Sequence, residues 1–249
     1  MRWRSLAIIV EIRGDWVKSK IALLLFVLVI EALLLRLGFW QLARGGEKQQ
    51  QLAEVADVLA EKREVALADM DMGTNRVEWA GGEVAFMPGT VFLLDNQRRG
   101  RQVGIIVYQP AALPGGGSIL VELGWLPVTG NRQLPPTPTY HRPLKLQGLL
   151  LPPPSAGLAM GEAAVKQPDG RWLMTRLDRQ ALESIVEAKL ASRVLRPNPT
   201  LDFGFERTFI VQANTLPPEK HRAYALQWFG LALAWLMLWV YVVRRKKHE

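Results

Sequence analysis

Residues 223–243 read AYALQWFGLALAWLMLWVYVV, twenty-one positions without a charge. As a helix rising about 1.5 Å per residue, this run spans a hydrocarbon core of roughly 30 Å. Arg222 bounds it on one side, and Arg244, Arg245, Lys246 and Lys247 bound it on the other. A long apolar run closed by basic residues predicts a transmembrane helix. The competing reading is a fully buried helix of a soluble domain, but such helices seldom end in a basic cluster.

A second apolar run, IALLLFVLVIEALLLRLGFW, covers residues 21–40. Before it stand Arg2, Arg4, Arg13, Lys18 and Lys20, against Glu11 and Asp15. A signal peptide starts the same way. Here the apolar character resumes after Glu31, and no small-x-small cleavage site follows, so the run reads as a membrane anchor. A carboxyl at the depth of Glu31 is costly and should face a protein partner or be protonated. Arg36, near the end of the run, can snorkel to the headgroups.

Charge sets the expected orientation. The net charge is +8, yet residues 45–220 hold 19 Lys plus Arg against 19 Asp plus Glu. The excess therefore lies in and beside the two apolar runs. By the positive-inside bias, residues 1–20 and the basic tail 244–249 are expected in the cytoplasm. Residues 41–222 then form one extracytoplasmic domain between antiparallel transmembrane helices at 21–40 and 223–243. In a bacterium this is a multi-pass protein of the inner membrane with a periplasmic domain. In a mitochondrion the domain would face the intermembrane space. The neutral centre lacks a basic stripe, which argues against nucleic acid as a partner and leaves the lipid bilayer. The chain has no cysteine, so disulfides, thiolate metal sites and cysteine nucleophiles are excluded.

Within the outer domain, residues 47–63 predict an amphipathic helix through Leu52, Val55, Ala56 and Leu59, set off by Gly45 and Gly46. Short strands are expected at 91–94, at 103–109 stopping before Pro110, at 118–126, at 144–151, at 171–177 and at 209–212. Gly115, Gly116 and Gly117 form a hairpin turn between the second and third of these. Asp178 is the expected N-cap of a helix over 179–191, with Leu182, Ile185, Val186 and Leu190 on its apolar face. The fold class is thus an α+β domain with a small β-barrel-like or sandwich sheet and about two helices, flanked by two membrane helices.

Enzyme signatures are missing. No G-x-S-x-G, Walker loop, G-x-G-x-x-G or H-E-x-x-H occurs, so no catalytic residues are assigned and the expectation is that the protein is not an enzyme. The informative residues sit at the two outer membrane boundaries. One boundary holds Gly38, Trp40, Gln41, Arg44 and Lys48. The other holds His221, Arg222, Tyr224, Ala225, Gln227, Trp228 and Phe229. At roughly 100° per residue, His221, Tyr224, Trp228, Ala232, Trp235 and Trp239 share one helix face. Trp and Tyr also form ordinary interfacial belts, and an interfacial histidine can be a plain hydrogen-bonding residue. A neutral imidazole can equally be an axial haem ligand.

These stretches resemble the Surf1/Shy1 family of cytochrome c oxidase assembly factors. Gly38, Trp40, Gln41, Arg44 and Lys48 meet its G-x-W-Q-x-x-R-x-x-x-K pattern. His221, Tyr224, Ala225, Gln227, Trp228 and Phe229 meet its H-x-x-Y-A-x-Q-W-F pattern. Between them Gly104, Val121, Gly124, Trp125 and Pro127 match its central segments. Glu122 and Leu123 stand where the family usually has Asn-Arg, which weakens any role for that arginine. The resemblance implies an assembly factor for a haem-copper terminal oxidase that assists haem a insertion into subunit I. Cytochrome c oxidase subunit I is then the expected partner, with haem a synthase as a further one. The resemblance makes His221 a haem a axial ligand, with no metal beyond that haem iron. Tyr224, Trp228, Trp40, Gln41, Arg44 and Lys48 join it as cofactor-binding residues. Arg44, Lys48 or Arg222 would pair with the propionates, and binding would be transient. The alternatives are a cofactor-free scaffold that stabilises nascent subunit I, and a membrane-bound periplasmic hydrolase.

Overall fold

The computed structural model describes residues 2–130, 133–154, 161–209 and 216–245, with backbone alone for residues 2–20. In chain order the elements are α1 (Arg2–Glu61), β1 (Glu64–Ala66), β2 (Glu78–Phe86), β3 (Phe92–Arg99), β4 (Gln102–Ala112) and β5 (Ser118–Pro127). There follow β6 (Leu144–Leu151), β7 (Ala164–Lys166), β8 (Trp172–Met174), α2 (Arg179–Val186), β9 (Leu190–Pro197) and α3 (Pro218–Arg245). They fall into two units. One joins Met1–Gln51 with Leu216–Glu249, and the other is Leu52–Thr215.

The first unit is a pair of long apolar helices. Their most apolar windows have mean hydropathies of 2.5 and 1.8, yet only 11% and 6% of those windows is buried. A core helix of a soluble protein would be mostly covered, so length, composition and exposure together fit membrane spans. The two helices run antiparallel. His221 meets Gln41, Phe229 meets Gly38, and Trp235 meets Val27, so positions rise along α3 as they fall along α1. Among the covered or half-covered positions, Val27, Glu31, Leu34, Gly38, Gln41, Gly45 and Lys48 form one line along α1, flanked by Ile30 and Leu37, and His221, Ala225, Trp228, Ala232, Trp235 and Trp239 form one along α3, flanked by Phe229 and Val242. Both sets alternate steps of three and four, the spacing of a left-handed helix pair. Small residues recur on each side, and they let backbones approach where apolar attraction offers little.

The expected break at Gly45 and Gly46 is absent, for α1 runs unbroken to Glu61. Each helical glycine costs about 1 kcal/mol against alanine. Gly45 is buried on the seam, where a larger residue would crowd α3. The amphipathic part of α1 buries Val55 and half-buries Leu52, Val58 and Leu59, whereas Ala56 is exposed.

The second unit is one nine-stranded sheet in the order β1-β2-β6-β9-β5-β4-β3-β8-β7, with β2 also paired to β4. The extra pairing closes β2, β6, β9, β5 and β4 into a ring, a small barrel that removes the free edges of those strands. Side chains alternate across its wall. Ile105, Val107, Ile119, Val121, Leu123, Leu150 and Leu195 fill the inside. Ile106, Tyr108, Leu120, Leu149, Leu151 and Val194 face outward, where Val55, Val58 and Leu59 of α1 and Leu182, Ile185 and Val186 of α2 cover them. The β4–β5 hairpin forms as expected, with Ala112 opposite Ser118. Strand β6 has the expected bounds.

Other elements differ from expectation. β4 runs through Pro110, which falls between the stretch paired with β3, ending at Tyr108, and that paired with β2, starting at Ala111. The Pro110 carbonyl accepts from Met87 N at this junction, so the missing N–H interrupts no ladder. Asp178 caps α2 through Ala181 N, but Glu187 takes a left-handed conformation with φ of 56° and ends the helix early. Leu190 therefore opens β9 instead of closing a helix. β9 lies parallel to β5 and antiparallel to β6. Strands β1, β2, β7 and β9 had no forecast. Of the strand expected at 209–212, residues 210–212 lie outside the described residues, as do Lys246 and Lys247 of the tail.

Candidate functional site at the helix seam

The motif residues collect at one end of the helix pair. His221 begins the seam of α3, one turn after Pro218, whose carbonyl neighbour Pro217 O accepts from Lys220 N at 3.0 Å. The His221 Nδ1 lies 2.8 Å from Oε1 of Gln41. A Cβ built on Gly45 would lie 3.3 Å from the His221 Cβ, so glycine leaves room for the first turn of α3. Two turns further in, a Cβ on Gly38 would lie 2.5 Å from the Phe229 ring, which also meets Phe39 edge-on at 5.2 Å. Trp228 and Trp235 are half-buried on the seam. The Trp235 indole donates to Val27 O at 3.3 Å.

Several expected site residues point elsewhere. Tyr224 is 42% exposed, while Ala225 takes the seam position and is 1% exposed. At roughly 100° per residue, Tyr224 lies about 60° from His221 on one side of the stripe, which places it at the margin. Trp40 is 50% exposed. Arg44 lies over its ring at 6.0 Å and pairs with Glu47 at 2.9 Å. Arg222 donates to Gln49. Lys48 is half-buried on the seam and has no ion-pair partner among the described residues. Of the three candidate cations at this end, Lys48 is the uncommitted one. Glu31 sits on the seam as well, and its Oε2 is buried with no hydrogen-bond partner among the described residues.

A different polar cluster lies in the barrel wall. Tyr108, Glu122 and Arg196 are 0%, 2% and 8% exposed. Arg196 holds the Glu122 carboxylate through Nε and Nη2, both at 3.0 Å, and the Tyr108 hydroxyl lies 3.5 Å from the same oxygen. Burial pushes the Tyr108 phenol well above its usual value, and the Glu122 charge adds to this. Burial alone would lower Arg196, but Glu122 and then Tyr108 outweigh it and raise the guanidinium. This cluster accounts for Glu122 at the position where related sequences were expected to carry Asn. Its partner Arg196 lies on β9, the strand missed in the sequence. Nearby, Arg207 donates to the carbonyls of Leu201, Phe203, Phe205 and Leu123 and fastens the loop after β9 to β5. Burial pulls its guanidinium down.

The residues missed at the seam are Gly45, as the seat of His221, and Phe229, as the partner of Gly38. Their signal was present: Gly38 and Gly45, like Ala225 and Ala232, stand seven residues apart on facing helices. Among the described residues no group of three His, Asp or Glu side chains could hold a metal ion.

Comparison with known families decides the kinship: a model described as the SURF1 family matches residues 28–233, which include both motif stretches. The chain is a member of the SURF1 family. SURF1 proteins are cytochrome c oxidase assembly factors, so the chain's role lies in assembly of that enzyme. No curated protein matches the chain. The SURF1 match takes in most of α1, the whole barrel and α3 to within the apolar run.

Proposed function

We propose that this SURF1 protein assists the insertion of haem a into subunit I of cytochrome c oxidase, holding the haem at the outer end of its helix pair. The observation that carries the reading is the meeting of the two motif stretches, His221 of α3 against Gln41 of α1. The donor set fits the cargo. An imidazole suits haem iron, the half-buried Trp228 and Trp235 offer flat apolar surface, and Lys48 is free to pair with a propionate. Haem a would supply the redox centre of the oxidase; this chain binds and releases it. Arg44 and Arg222 contribute less than expected from sequence, since each already has a partner.

The orientation follows from charge. The N-terminal and C-terminal basic flanks lie in the cytoplasm and the barrel domain in the periplasm of a bacterial inner membrane. Subunit I is the partner that receives the haem, and haem a synthase is the source.

An absorption spectrum tests this. The full chain is expressed with a haem a synthase, purified in mild detergent and reduced with dithionite. A reduced haem a band in the wild type that disappears in His221→Ala supports cofactor delivery. No band in either protein, with subunit I still co-purifying, overturns it and leaves a cofactor-free scaffold.

A further inference from the structure

Gln41 stands in the same motif as Trp40 and Arg44, and its sequence position groups it with residues that touch the cargo. Its side chain instead engages His221, with Oε1 2.8 Å from Nδ1. An amide oxygen accepts and cannot donate, so this contact needs the proton on Nδ1. In a neutral imidazole the other nitrogen, Nε2, then carries a bare lone pair. We infer that Gln41 is a positioning residue: it holds His221 in the Nδ1–H tautomer and keeps Nε2 as the ligating nitrogen. Partners of this kind orient ligating histidines and fix their tautomer at metal sites generally. The ligand named here rests on the haem reading above; the tautomer does not.

Two features of the seam support the assignment. Gln41 follows the buried Gly38 and precedes the buried Gly45 at the seam spacing, so its side chain is directed across to α3. Gly45 lets the His221 backbone approach, with 3.3 Å between the built Cβ and the His221 Cβ and 3.5 Å to Pro218 O. Glycine therefore seats the residue while glutamine orients the ring. Free histidine in water favours the opposite, Nε2–H tautomer, so an acceptor aimed at Nδ1 changes which nitrogen is open. A flipped amide, with its NH2 donating to a bare Nδ1, would leave Nε2 protonated and unable to ligate.

The test reads the tautomer without any haem. The full chain is labelled with 15N-histidine, purified in mild detergent, and the ring nitrogens are followed by NMR with the ring neutral. His221→Ala identifies the His221 signals. Wild type is expected to show a protonated Nδ1 and a bare Nε2. Gln41→Leu should shift His221 to Nε2–H, and Gln41→Glu, which keeps the acceptor, should restore Nδ1–H. With haem a present, Gln41→Leu should bind about 10- to 100-fold more weakly than wild type, and Gln41→Glu should recover most of that. A wild-type ring already in the Nε2–H form overturns the inference, as does a Gln41→Leu ring with an unchanged tautomer. If haem a never binds while the tautomer follows Gln41, the haem reading fails and the positioning role stands. If His221 ligates haem while the tautomer ignores Gln41, the reverse holds.

Discussion

The helix pair and the barrel use their paired polar groups for different tasks. In the barrel, Arg193 donates to Glu78 and to the carbonyls of Arg76 and Asp71. Arg196 is matched to Glu122, and Gln109 exchanges hydrogen bonds with the Tyr140 backbone at 2.8 and 3.0 Å. These groups fasten strands and loops to each other. On the helix seam, Gln41 and His221 satisfy one another at a single nitrogen, while Lys48 and one oxygen of Glu31 have no partner among the described residues. Neither region is fully satisfied, since Gln97 Oε1, Arg193 Nε and Arg207 Nε of the barrel domain are also buried without a hydrogen-bond partner among the described residues; the difference lies in what the paired groups join, strands and loops in the barrel and two helices at the seam.

The comparison breaks first at Glu122. Glu122→Ala leaves the Arg196 charge buried and unpaired, which should cost about 3–5 kcal/mol. Denaturation of the full chain in detergent measures it. The double variant Glu122→Leu with Arg196→Met should recover most of the loss, because an apolar pair of similar volume replaces a matched ion pair at little net cost. A single variant as stable as wild type would show that the cluster does not hold the barrel. On the helix side, Gly38→Leu should push Phe229 away and weaken helix pairing by about 1–3 kcal/mol. Distances between spin labels on α1 and α3 would report it, and unchanged distances would show that the small residues do not set the seam.

Two smaller effects sharpen the picture within the barrel domain. Asp178→Ala removes the cap on Ala181 N and should cost about 1 kcal/mol in the same denaturation experiment. Tyr108→Phe should cost about 0.5–1 kcal/mol near neutral pH, with a clearer effect in alkali. The folded state holds the Tyr108 proton more tightly than the unfolded chain, whose reference value is 10.0. Its contribution is complete below that value and is lost as pH rises through the higher folded value. Wild-type stability should therefore fall above about pH 10, and Tyr108→Phe should flatten that part of the fall; identical alkaline slopes would contradict it.

Legibility differed between the regions for physical reasons. The two long apolar helices were plain because spanning lipid needs a long apolar run: 223–243 carries no charge, and 21–40 is interrupted only by Glu31 and Arg36. The β4–β5 hairpin was plain because three glycines separate two apolar strands. β9 was hidden because Leu190 continues the helical spacing of Leu182 and Val186, and its LASRVLRP sequence places two arginines in a strand. Those arginines are tolerated only because Glu78 and Glu122 come from strands far away in sequence. β2 was hidden by Gly81 and Gly82, because paired glycines interrupt the apolar alternation of a strand. A Cβ at Gly81 would lie 2.5 Å from the Glu64 carboxyl, so close packing of β1 explains the first glycine. At the site, the motif residues were legible one by one. Their division into seam and margin was not, because Ala225 and Tyr224 lie about 40° and 60° to either side of His221 and only the facing helix decides between them.

The ring of strands also sets a schedule for the newborn chain. β9 lies between β5 and β6 and follows both in sequence, with β7, β8 and α2 intervening. At roughly 5–20 residues per second of synthesis, β5 and β6 therefore wait for seconds with an open slot between them. During that interval each offers an apolar, unpaired edge to any passing strand. A protein that serves as an assembly factor is thus itself exposed, at birth, to mispairing until Leu190–Pro197 arrives to fill the gap.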